Sequence, residues 1–167
     1  KGINMLELAG IETPAIEAGV ILSFVLDCDR AYIYSHGDRL IDESQENKFF
    51  DFIKERSYGK PTQYITGFQE FMSLKFDVNQ HVLIPRPETE ILVEKIIEYV
   101  KDNYTDNINI LDVGTGSGCI SVSLAYYLPN CHITAADISY EALKIAKRNA
   151  ENARVGDRVK FVQSDLF

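Results

Sequence analysis

The residues best placed to do chemistry are Gly114-Thr115-Gly116-Ser117-Gly118, directly after an apolar run that ends Leu111-Asp112-Val113. Glycines at alternate positions let a chain bend sharply and bring bare backbone against a ligand. Where such a turn opens a helix, the free N–H groups of the first turn favour a carboxylate. A ligand there lies beyond the carboxyl ends of parallel strands, where the strand order reverses. Two further acids occupy matching places. Asp137 closes a second apolar run, 23 residues after Gly114, and Asp165 closes a third in Gln163-Ser164-Asp165-Leu166-Phe167. A carboxylate like Asp137 accepts hydrogen bonds from both hydroxyls of a ribose, and Ile138 is grouped with it. Asp165 suits an adenine amino group, with Leu166 as an apolar wall.

Which nucleoside ligand fits is decided by spacing. A dinucleotide fingerprint needs glycines at the first, third and sixth positions, and the sixth is Cys119. A phosphate-cradling loop needs Gly-Lys-Ser/Thr, which does not follow. Here the glycines stand at positions one, three and five. The acidic rim suits a sulfonium cation and offers no site for a pyrophosphate. The reading is an S-adenosylmethionine site built from Asp112, Gly114, Thr115, Gly116, Ser117, Gly118, Asp137, Ile138, Asp165 and Leu166. The alternative is that Asp137 and Asp165 only cap the helices that follow them. A nicotinamide-dependent oxidoreductase and a non-catalytic binding module are the rivals from other functional classes.

Those residues must be positioned by elements, and the pattern from Ile108 onward is strand, helix, strand, helix, strand. Strands are expected at Ile108 to Val113, His132 to Asp137 and Val159 to Gln163. Helices are expected at Cys119 to Leu128 and, capped by Ser139, at Tyr140 to Asn152. Apolar strands alternating with helices imply a parallel sheet covered on both faces. The first sixty residues read as short helices. Thr13-Pro14 starts one whose apolar face is Ile16, Val20, Ile21, Phe24 and Val25. Asp29 to His36 forms another, and Asp42 caps a third carrying Phe49, Phe50 and Ile53. Alternation from Phe68 to Val78 around Met72-Ser73 predicts a hairpin. Pro85-Arg86-Pro87 is a stiff extended segment. A helix follows it, with Thr89 as a candidate cap and Ile91, Leu92, Lys95, Ile96 and Tyr99 along one side. The expected class is α/β: a helical domain over 1–65, a hairpin linker over 66–84, and an incomplete Rossmann-like domain over 85–167.

Composition narrows the function classes. The 167 residues are 46% hydrophobic and 25% charged, with formal charge −8. The excess acid is shared evenly, −4 on either side of Pro87, and no cationic face for a nucleic-acid backbone stands out. Cys28, Cys119 and Cys131 are far apart and without a His/Cys cluster, so no zinc or disulfide framework is expected. Apolar stretches such as Ala18 to Leu26 are too short to span a bilayer. A cytoplasmic protein is the expectation, with His36 and His81 on surface or loop.

Tyr64-Ile65-Thr66-Gly67, Glu70-Phe71 and above all Leu83-Ile84-Pro85-Arg86-Pro87-Glu88-Thr89-Glu90 resemble the HemK-type protein-(glutamine-N5) methyltransferases. The resemblance extends to Ala9-Gly10-Ile11-Glu12-Thr13-Pro14 and Asp29-Arg30. It implies a class I methyltransferase acting on the glutamine of the Gly-Gly-Gln motif in peptide chain release factors. It also implies that Gly114 to Gly118 line the methionine part of the cofactor, that Asp137 holds the ribose, and that Asp165 with Leu166 frames the adenine. Leu166 stands where the family often has an aromatic, so the wall is kept and a stacking surface lost. The segment Pro85, Arg86, Pro87, Glu88, Thr89, Glu90 is implied to pack over the cofactor pocket; the alternative is a rigid linker and helix cap. The helical part is implied to meet the protein substrate.

The family's Asn-Pro-Pro-Tyr motif follows a fourth strand, and this chain ends at Phe167. The resemblance therefore implies no catalytic residue among these residues and no methyl transfer by them alone, since that asparagine holds the glutamine amide in line with the methyl group. In the family's strand order, 3-2-1-4-5-7-6, the strand at Ile108 to Val113 becomes an apolar edge. Such edges pair with other chains, so self-association is expected. A glutamine methyltransferase acting on a ribosomal protein is the close rival. A DNA adenine methyltransferase is disfavoured by the −8 charge.

Overall fold

The computed structural model describes residues 1–165 and divides into two compact units, Lys1–Thr66 and Gly67–Phe167. Leu166 lies outside the described residues. The first unit holds α1 (Gly2–Leu8), α2 (Pro14–Leu26), α3 (Arg30–Ser35), α4 (Glu43–Ser57) and α5 (Thr62–Thr66). Its core is Leu6, Ala18, Ile21 and Ile53. Capping sets the boundaries. Pro14 is the first helical residue of α2, and the Asp29 carboxylate accepts from the Tyr32 amide at 2.7 Å to open α3. Asp42 and Gln45 form a reciprocal capping box at α4. The short helices α1 and α5 carry no separate signal in the residue pattern. Gly2 lets α1 lie against α4, for a Cβ there would sit 2.8 Å from the Phe49 ring.

Inside this unit, the Glu17 carboxylate on α2 accepts from the Arg56 guanidinium of α4, with Nη2 to Oε1 at 3.1 Å, and from the Thr62 hydroxyl of α5 at 2.6 Å. Three helices are tied at one acid. The Arg56 hydrogen bond is the largest reason the Glu17 carboxyl is held below the usual carboxylate range, with Thr62 and the Arg56 charge adding to it against the opposing effect of burial.

The second unit begins with a hairpin, β1 (Phe68–Phe71) paired antiparallel with β2 (Leu74–Asp77). Its two-residue turn places Met72 and Ser73 at φ 51° and 56°, the left-handed geometry that matches strand twist. Phe71 and Phe76 pack edge to face with centroids 6.0 Å apart. They share one core with Val93, Val122, Leu124, Ile133, Val155 and Val159.

Helix α6 (Pro87–Asn103) starts earlier than Thr89 would suggest. Arg86 is the N-cap and Pro87 the first helical residue, a position where a missing N–H and a fixed φ do no harm. Its inward face is Val93, Ile96, Ile97 and Val100, while Ile91, Leu92 and Tyr99 are exposed. The expected stripe through Ile91, Leu92 and Tyr99 is therefore not the core face. After α6 come β3 (Ile108–Val113), α7 (Cys119–Tyr127), β4 (Cys131–Asp137), α8 (Tyr140–Asn152) and β5 (Val159–Gln163). The sheet is parallel in the order β3-β4-β5. Along β3, Ile108 and Ile110 turn inward, but Leu111 is 63% and Val113 46% exposed. The expectation of a sheet covered on both faces thus fails at β3. Among the described residues, no helix is long and apolar enough to cross a membrane.

Candidate functional site

The ends of β3, β4 and β5 are aligned by their ladders. Val113 pairs with Ala136 and Asp137 with Gln163. The Ala136 carbonyl accepts from the amides of both Gly114 and Thr115, at 2.8 and 2.9 Å. The Ser164 amide donates to the Asp137 carbonyl at 3.1 Å. The glycine loop, Asp137 and Asp165 therefore stand at the same carboxyl edge of the sheet.

Each loop residue has a distinct task. One Asp112 oxygen accepts from the hydroxyls of Thr115, at 2.7 Å, and Ser121. Its carboxylate braces the loop from below. Thr115 and Ser117 are buried, so their side chains face the interior and the loop offers backbone to a ligand. All three glycines have positive φ, yet their surroundings differ. A Cβ at Gly114 would meet nothing within 4 Å, and at Gly116 only the Gly114 carbonyl at 4.0 Å. At Gly118 a Cβ would stand 3.0 Å from the Ala146 Cβ and 3.2 Å from its Cα. The first two leave open space above the loop, and the third lets α7 approach α8.

Asp137 accepts from the Gly116 amide through Oδ2 at 2.8 Å and from the Ser139 amide through Oδ1 at 2.9 Å. Ser139, not Asp137, caps α8, taking the Ala142 amide at 3.2 Å. The cap alternative for Asp137 is removed. The acid is instead tied to the glycine loop, and each oxygen keeps a lone pair for a further donor. Ile138 is exposed beside it, and Asp165 is exposed beyond β5.

The Pro85 to Glu90 segment is anchored to the hairpin. Pro85 is buried, while Arg86, Pro87 and Glu88 are exposed. The Thr89 amide donates to the Arg86 carbonyl at 3.0 Å inside the first turn. The Glu90 carboxylate accepts from the Met72 amide at 2.6 Å, and the Tyr127 hydroxyl donates to the Met72 carbonyl at 2.7 Å. Glu90 thus clamps the hairpin turn.

Residues that sequence reasoning did not single out also shape the site. Ser121 completes the brace on Asp112, and Asn149 lies beneath the loop with its amide on the Ser117 carbonyl at 2.8 Å. A signal for Asn149 was present: it is a polar residue in the otherwise apolar stripe of Ala142, Ile145, Ala146 and Ala150. Cys119 directly follows the loop. Burial pushes its thiol up to about 11, with the Asp112 charge adding to the rise.

Comparison with known proteins agrees with this geometry. Residues 104–167 match a family described as methyltransferase domain, and residues 1–67 match the PrmC N-terminal domain. A parallel α/β sheet with a glycine loop at its carboxyl edge, matching that first family, defines a methyltransferase domain. The chain is 45% identical to a release factor glutamine methyltransferase of Koribacter versatilis, over 100% of this chain and 58% of that one. It is 41% identical to the protein of that name from Rhodopirellula baltica, over 95% of this chain and 54% of that one. A bifunctional methyltransferase of Rickettsia conorii is 35% identical over 98% of this chain and 36% of its own. This chain belongs to the HemK-type methyltransferase family. It spans little more than half the length of the first two relatives.

Proposed function

We propose that this chain is the methyl-donor-binding part of an enzyme that methylates the side-chain amide nitrogen of a glutamine in peptide chain release factors, at their Gly-Gly-Gln motif. The observation that carries the reading is the tie between Asp137 and the Gly116 amide. It joins a ribose acceptor to a backbone loop open on its upper side, in a chain of this family. The residues fit S-adenosylmethionine: open space above Gly114 and Gly116 and carboxylates at two further strand ends. When bound, that cofactor supplies the methyl group. The chain's own residues bind and orient. The loop backbone and the first turn of α7 receive the methionine carboxylate. Asp137 accepts the ribose hydroxyls, with Ile138 alongside. Asp165 accepts from the adenine amino group, and Leu166 is assigned the apolar wall. The Lys1–Thr66 unit is assigned to recognition of the protein substrate, because it contributes none of these groups.

Calorimetry separates the cofactor readings. The chain is expected to bind S-adenosylhomocysteine and to leave NAD unbound; the reverse preference would return the site to an oxidoreductase. For the partner, a release factor is expected to bind the immobilised chain. A preference for a ribosomal protein would move the substrate to that rival.

A further inference from the structure

Asn149 sits on the buried face of α8, and only 1% of it is exposed. Both ends of its amide have partners. Oδ1 accepts from the Asp77 amide at 2.7 Å, and Nδ2 donates to the Asp77 carbonyl at 3.0 Å. That reciprocal pair is the pattern by which one strand residue meets another across an antiparallel ladder. The remaining Nδ2 hydrogen goes to the Ser117 carbonyl at 2.8 Å, so both donors of the amide are spent. Nearly one turn earlier on the same face, Ala146 fills the space that a side chain at Gly118 would need. Helix α8 therefore holds the end of the loop twice, by a hydrogen bond at Ser117 and by packing at Gly118.

The Ser117–Gly118 peptide leads directly into the first turn of α7. Fixing its carbonyl fixes the plane of that peptide, and with it the aim of the N–H groups that open the helix. We propose that Asn149 is a positioning residue for the part of the loop that receives the amino-acid end of the cofactor, and that it couples this part to the hairpin through Asp77. The inference rests on the cofactor reading above. Asn149 lies under the loop and touches no ligand. Asparagine is the side chain that fits: aspartate would set a carboxylate against two carbonyl oxygens, and leucine would leave three backbone groups without partners.

The test compares S-adenosylhomocysteine with methylthioadenosine, which keeps the nucleoside and thioether but lacks the amino-acid end. Calorimetry is run on the unsubstituted chain and on Asn149→Asp and Asn149→Ser. Each variant is expected to lose roughly tenfold in affinity for S-adenosylhomocysteine, about 1.4 kcal/mol, while methylthioadenosine affinity changes by less than about twofold. Equal losses for both ligands would show a merely structural role and overturn the inference while leaving the cofactor reading intact. Should neither variant fold, the unsubstituted chain decides by NMR. The Asn149 side-chain amide signals are expected to move on saturation with S-adenosylhomocysteine and to stay in place with methylthioadenosine. Identical spectra in the two complexes would overturn the proposal. A chain that binds neither ligand removes the cofactor reading and this inference together.

Discussion

Asp137 shows how one side chain joins local structure to ligand binding. Its two oxygens take the Gly116 and Ser139 amides at 2.8 and 2.9 Å, which orients it at the strand end before any ribose arrives. Asp137→Ala should weaken S-adenosylhomocysteine by about 10- to 100-fold, since hydrogen bonds to charged groups are worth roughly 1.5–3 kcal/mol. Calorimetry reads the change, and an unaltered affinity would remove Asp137 from the site. The glycines give a second prediction. Gly114→Ala meets only the backbone penalty of a positive φ, about 1–2 kcal/mol. Gly118→Ala adds a clash with Ala146 at 3.0 Å, for a total of roughly 2–5 kcal/mol. Denaturant unfolding should rank them in that order. This distinction was hidden in the sequence, where all three glycines belong to one motif. The motif's existence was legible because a tight turn demands glycine; the neighbour that demands the third one lies 28 positions away in α8. Asn149 was overlooked for a related reason. Its place in an apolar stripe marks it as buried, but its partners, Asp77 and Ser117, lie 72 and 32 positions away in sequence and only the fold brings them to it.

At the level of elements, the hairpin turn and the helix bundle each invite a measurement. Met72 and Ser73 both occupy left-handed backbone without being glycine or asparagine. Replacing Ser73 by Gly should stabilise the chain by about 1 kcal/mol, because glycine favours this turn and Ser73 is exposed, whereas Met72 packs against the core. Glu90→Ala should have the opposite effect, about 1–3 kcal/mol, as it strips the Met72 amide of its acceptor. Thermal melts distinguish the two, and a neutral Glu90→Ala would show the clamp to be idle. In the helical unit, the Glu17 carboxyl is held low chiefly by the Arg56 hydrogen bond. A folded-state pKa below the unfolded one gives stability that is present above the unfolded value and lost as the pH falls through the folded one. Acidification from neutral through the ordinary glutamate range and below it should therefore destabilise this unit. Glu17→Gln should flatten that dependence, read as melting temperature against pH. Elements with strong end signals, such as α4 with its Asp42–Gln45 box and α8 with Ser139, were legible from residue types. Helices α1 and α5 were not, having seven and five residues, too few for a helical period to declare itself. At the start of α6, Thr89 offers a cap-type side chain, whereas Pro87 sets the first helical φ two residues before it.

For the molecule as a whole, the covered face of β3 and its open edge pull in different directions. Ile108 and Ile110 pack inward, and β3 takes its ladder bonds from β4 alone among the described residues. The other edge is a row of backbone donors and acceptors flanked by Leu111 and Val113, 63% and 46% exposed. An open edge of this kind, with exposed apolar side chains beside it, can template pairing with a second chain. The charge of −8 is spread evenly along the sequence and places no charged residue on the exposed pair to discourage it. We therefore propose that the 167-residue chain self-associates through β3. Light scattering should give a mass above the monomer that rises with protein concentration. Leu111→Lys puts a charge on that strand without touching the glycine loop, the common natural device against edge pairing. It should return the chain to a monomer while S-adenosylhomocysteine affinity stays unchanged. A monodisperse monomer for the unsubstituted chain would overturn the association, and a Leu111→Lys variant that still associates would place the contact elsewhere.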